Sequence, residues 1–226
     1  ITSLCFGNRC EFGTIETPKW FIFINCYDLC MKKYIAEAFG TFVLTLVVAL
    51  SLVNSFPIST PILAVLTVGL FVYAFWHISG GHINPAVTVG LWSINKINNN
   101  EALKYIIAQF LGAGVACYVF YLINNGADVS LVSNNSFAVG FAELLGMLFY
   151  GFFIAAIVYG KTPNHFHGLL IAGALLLGIA VSSLLGSNGL INPAVALGVG
   201  SFNMMYLLSP LIGSILGMQL YKYLDN

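Results

Sequence analysis

The sequence predicts an all-α membrane protein with six transmembrane helices and two half-helices in two inverted repeats, and three observations carry that prediction. Hydrophobic residues make up 59% of the 226 and charged residues 7%, with a mean hydropathy of +0.91, where a soluble domain carries about 25% charge. Several apolar stretches are long enough to cross a hydrocarbon core of about 30 Å. The order of features in the first half of the chain also returns in the second. The net charge is zero, which offers no basic surface to nucleic acid and excludes it as a partner class.

Residues 1–30 read differently from the rest. They hold Cys5, Cys10, Cys26 and Cys30, with Arg9, Lys19 and an apolar patch from Trp20 to Ile24 that is too short to span. A basic start, an apolar run and a small-residue cleavage site are not arranged there as in a secretory signal. The cysteine spacings are ones a metal site tolerates, but no His accompanies them and neither pair is C-x-x-C, so no metal is assigned. Met31-Lys32-Lys33 has the character of a native start. Residues 1–30 are therefore expected to be an N-terminal extension, non-native or disordered, and 31–226 the membrane domain.

The first expected span is Tyr34 to Asn54, with one charge, Glu37. Ser55 to Pro61, with two prolines, is a turn, and Ile62 to Ser79 is the second span. Gly80-Gly81 then leads into Asn84-Pro85-Ala86. Here Asn stands where an N-cap belongs, able to accept from a first-turn N–H, and Pro follows at N1, where its missing N–H costs nothing. The helix that starts there is cut short by Gly90 and by Asn95 to Asn100. About nine residues at 1.5 Å each reach roughly half of the hydrocarbon core, which makes this a half-helix.

Lys96 to Lys104 is a polar connection, Tyr105 to Ile123 the third span with Gln109 and Gly112, and Asn124 to Ser136 the longest polar loop. The pattern then recurs as Phe137 to Tyr159 with Glu143, a loop from Gly160 to His167, a span from Gly168 to Leu185, a second half-helix opened by Asn192-Pro193-Ala194, and Met204 to Tyr223. Ala36-Glu37 with Gly40 matches Ala142-Glu143 with Gly146 after 106 positions, the Asn-Pro-Ala-Val strings match after 108, and Phe110-Leu111-Gly112 matches Leu211-Ile212-Gly213 after 101. The repeats cover about 32–123 and 137–224. Each holds three full spans, an odd number, so the second enters from the opposite side and the half-helices meet near the midplane. With the N-terminus inside, Arg9, Lys19, Lys32, Lys33, Lys96, Lys104, Lys161 and Lys222 all fall on the cytoplasmic side, the positive-inside pattern. Both termini are thereby expected to be cytoplasmic, in a cell membrane. Gly213, Gly217 and Gly112 are small residues placed for close helix crossings.

The two Asn-Pro-Ala motifs, the paired Ala-Glu-x-x-Gly openings and the string His77-Ile-Ser-Gly-Gly-His82-Ile-Asn-Pro-Ala-Val-Thr-Val-Gly90 closely resemble the aquaporin, or major intrinsic protein, family, over about residues 32–224. The resemblance implies a six-helix right-handed bundle assembled as homotetramers, one pore per subunit, and a channel domain over 31–226. It also places His77 beside the cytoplasmic half of the pore, with His82 at the start of the same half-helix as pore-lining or loop support. Such proteins usually carry Arg directly after the second Asn-Pro-Ala, where this chain has Val195, and the Asp common next in glycerol-conducting members is replaced by Ala196. Counting back from the motifs puts the other outer filter positions at Ala64, Ala180 and Gly189, all small.

The physics of the site can be stated independently. Two facing helix N-termini place about half a positive charge each at mid-membrane, which repels cations. The Asn84 and Asn192 amides, their oxygens used in capping, can donate to a passing oxygen and break a proton-conducting chain. Glu37 and Glu143 are carboxylates inside spans. They are read first as structural acceptors for the loop N–H groups that lead into each half-helix, and as a proton relay in the alternative. A filter without Arg is wider and greasier, so the expected function is passive, bidirectional diffusion of water and small uncharged solutes such as glycerol, urea or gases. The alternatives are a proton-coupled secondary transporter using Glu37 and Glu143, or a non-conducting structural homologue. No catalytic constellation lies within the spans, and no cofactor or metal is called for. His165 and His167 fall in a cytoplasmic loop and are expected to be solvated.

Overall fold

The computed structural model describes residues 5–6, 9–10, 19–129, 131 and 134–226, with side chains from Met31 onward. The cysteines at 5, 10, 26 and 30 carry the sequence's one metal or disulfide question, and their side chains lie outside the described residues. A two-residue ribbon pairs Cys5–Phe6 with Arg9–Cys10 antiparallel; everything else regular among the described residues is helical.

The helices are α1 (Lys19–Val53), α2 (Thr60–Phe75), α3 (Pro85–Ser93), α4 (Asn99–Ile123), α5 (Phe137–Val158), α6 (His167–Leu184), α7 (Pro193–Gly198) and α8 (Met204–Asp225). Among the described residues five segments are long and apolar enough to cross a membrane: Met31–Val53, Asn99–Ile123, Phe137–Val158, Asn164–Leu184 and Met204–Asp225. The sixth expected span, α2, has 16 residues, about 24 Å at 1.5 Å each. Pro61 sets its start, and its end unwinds through the turn at 76–79 into Gly80 and Gly81, whose φ angles of 84° and 63° only glycine adopts freely.

Three further boundaries differ from the sequence expectation. The first helix begins at Lys19 rather than Tyr34, because no Gly or Pro interrupts 19–34. The third span starts six residues early, where Asn98 Oδ1 accepts from Glu101 N at 3.0 Å and Asn98 Nδ2 donates to Glu101 Oε2 at 3.0 Å, a reciprocal cap. The second half-helix has six residues, not about nine, because Gly198 and then Gly200, at φ 72°, end it.

The duplication read from the sequence is present in the packing. α1 lies on α4 and α5 on α8, and α2 meets α6 between them. Glycines permit the close crossings. A Cβ on Gly112 would run into the Ala38 carbonyl, and one on Gly213 or Gly217 into the carbonyls of Leu144 or Leu148, so backbone lies on backbone with no room between. At one end of the bundle Lys33 pairs with Glu101, Lys96 sits 4.2 Å from the Tyr159 ring centroid and Lys161 pairs with Asp225 at 2.7 Å. These three lysines thus stand at a single end. The flanks expose large apolar side chains such as Leu70, Leu111, Phe137 and Leu169, as a surface facing lipid does.

Candidate functional site

The centre of the bundle is built by the two Asn-Pro-Ala turns. Asn84 Oδ1 accepts from Ala86 N at 2.8 Å, and Asn192 Oδ1 accepts from Ala194 N at 3.1 Å and Val195 N at 3.4 Å. Each cap releases its amide nitrogen, and the two nitrogens cross between the repeats. Asn84 Nδ2 donates to the Ile191 carbonyl at 3.0 Å and Asn192 Nδ2 to the Ile83 carbonyl at 3.1 Å. One N–H of each amide therefore holds the half-helices tip to tip, and the other is left for the cavity both residues line.

Ile83 and Ile191 precede the two caps at φ 38° and 37°, a region β-branched residues rarely enter. Strain of about 1–3 kcal/mol at each is held only by surroundings that fix both ends of the residue. The carbonyls are fixed by the opposite Asn, and the N–H groups by the two buried glutamates, at 2.6 Å from Ile83 N to Glu37 Oε2 and 2.6 Å from Ile191 N to Glu143 Oε2. Glu37 also accepts from His82 N at 2.9 Å, Ser79 Oγ at 2.7 Å and Gln109 Nε2 at 2.8 Å. Glu143 accepts from Leu190 N at 3.1 Å, Ser182 Oγ at 2.9 Å and Ser187 Oγ. Both carboxylates are fully buried, and each receives four hydrogen bonds, two of them from backbone groups that would otherwise be bare in a dry interior.

Sequence reasoning does not single out Ser79, Ser187, Tyr105 or Tyr206. Tyr105 Oη donates to the Ser79 carbonyl at 3.0 Å, while Tyr206 Oη accepts from Asn188 N at 3.2 Å. A signal for them exists: Ser79 and Ser187 stand 108 positions apart, as the two Asn-Pro-Ala motifs do, and Tyr105 and Tyr206 stand 101 apart, as Gly112 and Gly213 do.

Two neighbouring spaces, sharing the wall residues His82 and Tyr150, lie at the half-helix tips. Between the tips lies a small central cavity of about 30 Å³, walled by Leu44, Val48, Ala64, Val68, Leu175 and Val195 together with His82, Tyr150 and the two asparagines, room for one or two waters. Toward the lysine-bearing end a wider vestibule of about 570 Å³ is walled by Trp76, Val87, Leu91, Lys96, Ile154 and Ile171, again with His82 and Tyr150. Of the positions counted from the motifs, Ala64 and Val195 wall the central cavity. Ala180, partly buried on α6, and Gly189, buried at φ 66° in the loop before Asn192, are not among its walls. His77 is exposed in the turn after α2, and Trp76 and His82 take the vestibule wall instead. His82 Nδ1 lies 3.1 Å from Thr88 Oγ1. His165 is exposed as expected, but His167 is buried at the first turn of α6 with its ring 4.4 Å from that of Trp76, because α6 begins at His167 itself and packs its first turn against α2.

Comparison with known proteins follows the same lines. Residues 27–221 match the family model described as Major intrinsic protein. The chain is 35% identical to Aquaporin Z of Bradyrhizobium diazoefficiens, over 87% of this chain and 94% of that one. It is 31% identical to Glycerol uptake facilitator protein-like 6 of Lactiplantibacillus plantarum, over 82% and 94%. Among solved structures it superposes on the aquaglyceroporin from Plasmodium falciparum with a TM-score of 0.69 at 24% identity, covering 87% of this chain and 97% of the other, a likeness of fold.

Proposed function

The chain belongs to the major intrinsic protein family, and from that premise we propose that it is a membrane channel for passive, bidirectional diffusion of water and small uncharged solutes, and not an enzyme. The single observation that carries this is the tip-to-tip meeting of α3 and α7, locked by the Asn84–Ile191 and Asn192–Ile83 bonds. It leaves the remaining amide N–H groups and the positive helix ends beside a cavity whose other walls are aliphatic apart from His82 and Tyr150. A molecule with an acceptor oxygen passes there; a cation meets repulsion of about half a charge from each tip and no carboxylate in the cavity wall.

The resemblance to relatives named for water and for glycerol supports both solute classes. We place the outer filter at Ala64, Ala180, Gly189 and Val195, with Val195 where the family usually carries Arg. Such a ring lacks both the charge and the donors that exclude polyols. Residues 31–226 form the channel domain, with repeats over 32–123 and 137–224. Glu37 and Glu143 serve as scaffolding carboxylates, since protonating either would set an O–H against a backbone N–H that needs an acceptor. The chain is assigned to the cell membrane as a homotetramer, its termini on the cytoplasmic side with the clustered lysines.

Stopped-flow light scattering on proteoliposomes tests the function. Osmotic shrinkage and re-swelling in glycerol or urea, both faster than in protein-free liposomes, are expected. Flux equal to that of empty liposomes from correctly folded protein would sink it.

A further inference from the structure

We propose that Tyr150 is the specificity-determining residue of the pathway, closing with His82 a polar neck on the vestibule side of the Asn84–Asn192 pair. This deepens the channel function proposed above and rests on it.

The central cavity and the vestibule share only two wall residues, His82 and Tyr150. Whatever moves from one space to the other moves past these side chains. The repeat shows what is unusual about one of them. Leu44 stands 106 positions before Tyr150, the same offset that relates Glu37 to Glu143, and Leu44 also walls the central cavity. The pseudo-twofold therefore places an aliphatic side chain in one half and a phenol in the other, at equivalent positions around the same passage. The phenol adds bulk and a hydroxyl on one side only.

The hydroxyl is also uncommitted. Tyr150 is 2% exposed, and a buried tyrosine ordinarily places its O–H on a partner. Among the described residues Tyr150 Oη makes no hydrogen bond, and it is not one of the buried atoms closed off from space, so it opens onto the cavities it lines. With His82 Nδ1 engaged to Thr88, His82 Nε2 is the ring nitrogen left without a hydrogen bond at the neck. An O–H that opens onto the passage and is held by no protein acceptor can bond to a molecule in transit. Ala64 and Val195, by contrast, have no hydrogen-bonding side-chain group to offer a solute. The ligand class that fits is a slender uncharged molecule with hydroxyl or amide groups, threaded one at a time.

The experiment compares wild type, Tyr150→Phe and Tyr150→Ala in proteoliposomes, reading water efflux and glycerol entry by stopped-flow light scattering, with size-exclusion profiles to confirm folding. Tyr150→Ala widens the neck and should raise glycerol entry about threefold to tenfold, and the glycerol-to-water ratio with it. Tyr150→Phe keeps the ring but loses the hydroxyl, and should lower glycerol entry by a similar factor, the worth of one hydrogen bond. Opposite movements from one position are not what a packing residue produces. A glycerol-to-water ratio that stays at the wild-type value in both variants, or moves the same way in both, overturns the neck. If Tyr150→Ala does not fold, the shape-conserving Tyr150→Phe decides alone: an unchanged ratio overturns the proposal, a lowered one supports it. Wild-type flux no greater than that of empty liposomes is a different result and takes down the channel function itself.

Discussion

Asn84 donates its Nδ2 to the Ile191 carbonyl across 3.0 Å, joining residues 107 positions apart in sequence, while its Oδ1 caps its own half-helix at 2.8 Å. One side chain thus does two separable jobs. Asn84→Ala removes both and should cost about 2 kcal/mol, from a lost cap and a buried carbonyl left bare, read as a lower unfolding temperature in detergent. Asn84→Asp keeps the capping oxygen but replaces the donor with a carboxylate facing a carbonyl. It should retain the half-helix, weaken the tip-to-tip lock and admit cations, read as dissipation of a pH or K+ gradient in dye-loaded proteoliposomes. An Asp variant as tight to cations as wild type would show that the asparagine donors are dispensable to the barrier.

Glu143 holds the N–H of Ile191 at 2.6 Å and that of Leu190 at 3.1 Å. The Glu143→Gln variant would present an amide NH2 to at least one of these fixed donors. Serine hydroxyls at 182 and 187 can turn to accommodate it; the backbone cannot. Glu143→Gln should therefore destabilise by about 2–3 kcal/mol, the scale of a lost charge-assisted bond with its donor stranded, and Glu37→Gln should do the same in the other repeat. A proton-relay role predicts the reverse pattern: a folded, stable Gln variant that loses only pH-driven uptake. Thermal unfolding together with flux at two pH values separates the two.

Gly112, Gly213 and Gly217 sit against backbone carbonyls of the neighbouring helix, while Gly114, on another face of α4, has nothing within 4 Å of where its Cβ would be. Alanine at the first three must push helices apart, at about 1–3 kcal/mol each. Gly114→Ala meets open space and should be neutral or stabilising by up to about 1 kcal/mol, through helix propensity. The four unfolding temperatures in one detergent form the check, and a Gly213→Ala variant as stable as Gly114→Ala would contradict the packing described.

The parts of this protein legible in its sequence are those governed by local rules or by repetition. Asn before Pro announces a cap wherever it stands, and the offsets of 106, 108 and 101 carry the correspondence of the α1–α4 pair with the α5–α8 pair without any coordinates. What escapes is what depends on three-dimensional direction. His77 and His82 look alike in a string, but Gly80 and Gly81 turn the chain between them, so His77 faces out and Trp76 and His82 face the vestibule. Tyr150 reads as one more aromatic in a span until its register against Leu44 is set beside the cavity walls. The long start of α1 is hidden because the polar residues of 25–33 suggest a break, yet a helix ends at Gly or Pro far more readily than at Lys.

Val195 is the residue proposed above for the outer filter. It is 4% exposed and walls the central cavity with Ala64 and Val68. Val195→Arg would bring a fixed charge and five donors into a space of about 30 Å³. The guanidinium cannot fit without occupying part of the passage, so a solute as wide as glycerol loses room that a water molecule does not need. Glycerol entry should fall about tenfold, the equivalent of about 1.4 kcal/mol, with water flux reduced less. The same substitution combined with Tyr150→Ala locates the controlling step. If the outer position dominates, the double variant stays as restrictive as Val195→Arg alone; if the neck dominates, opening it restores much of the glycerol flux. Glycerol entry unaffected by Val195→Arg would remove residue 195 from the filter and leave the neck as the place where this channel selects.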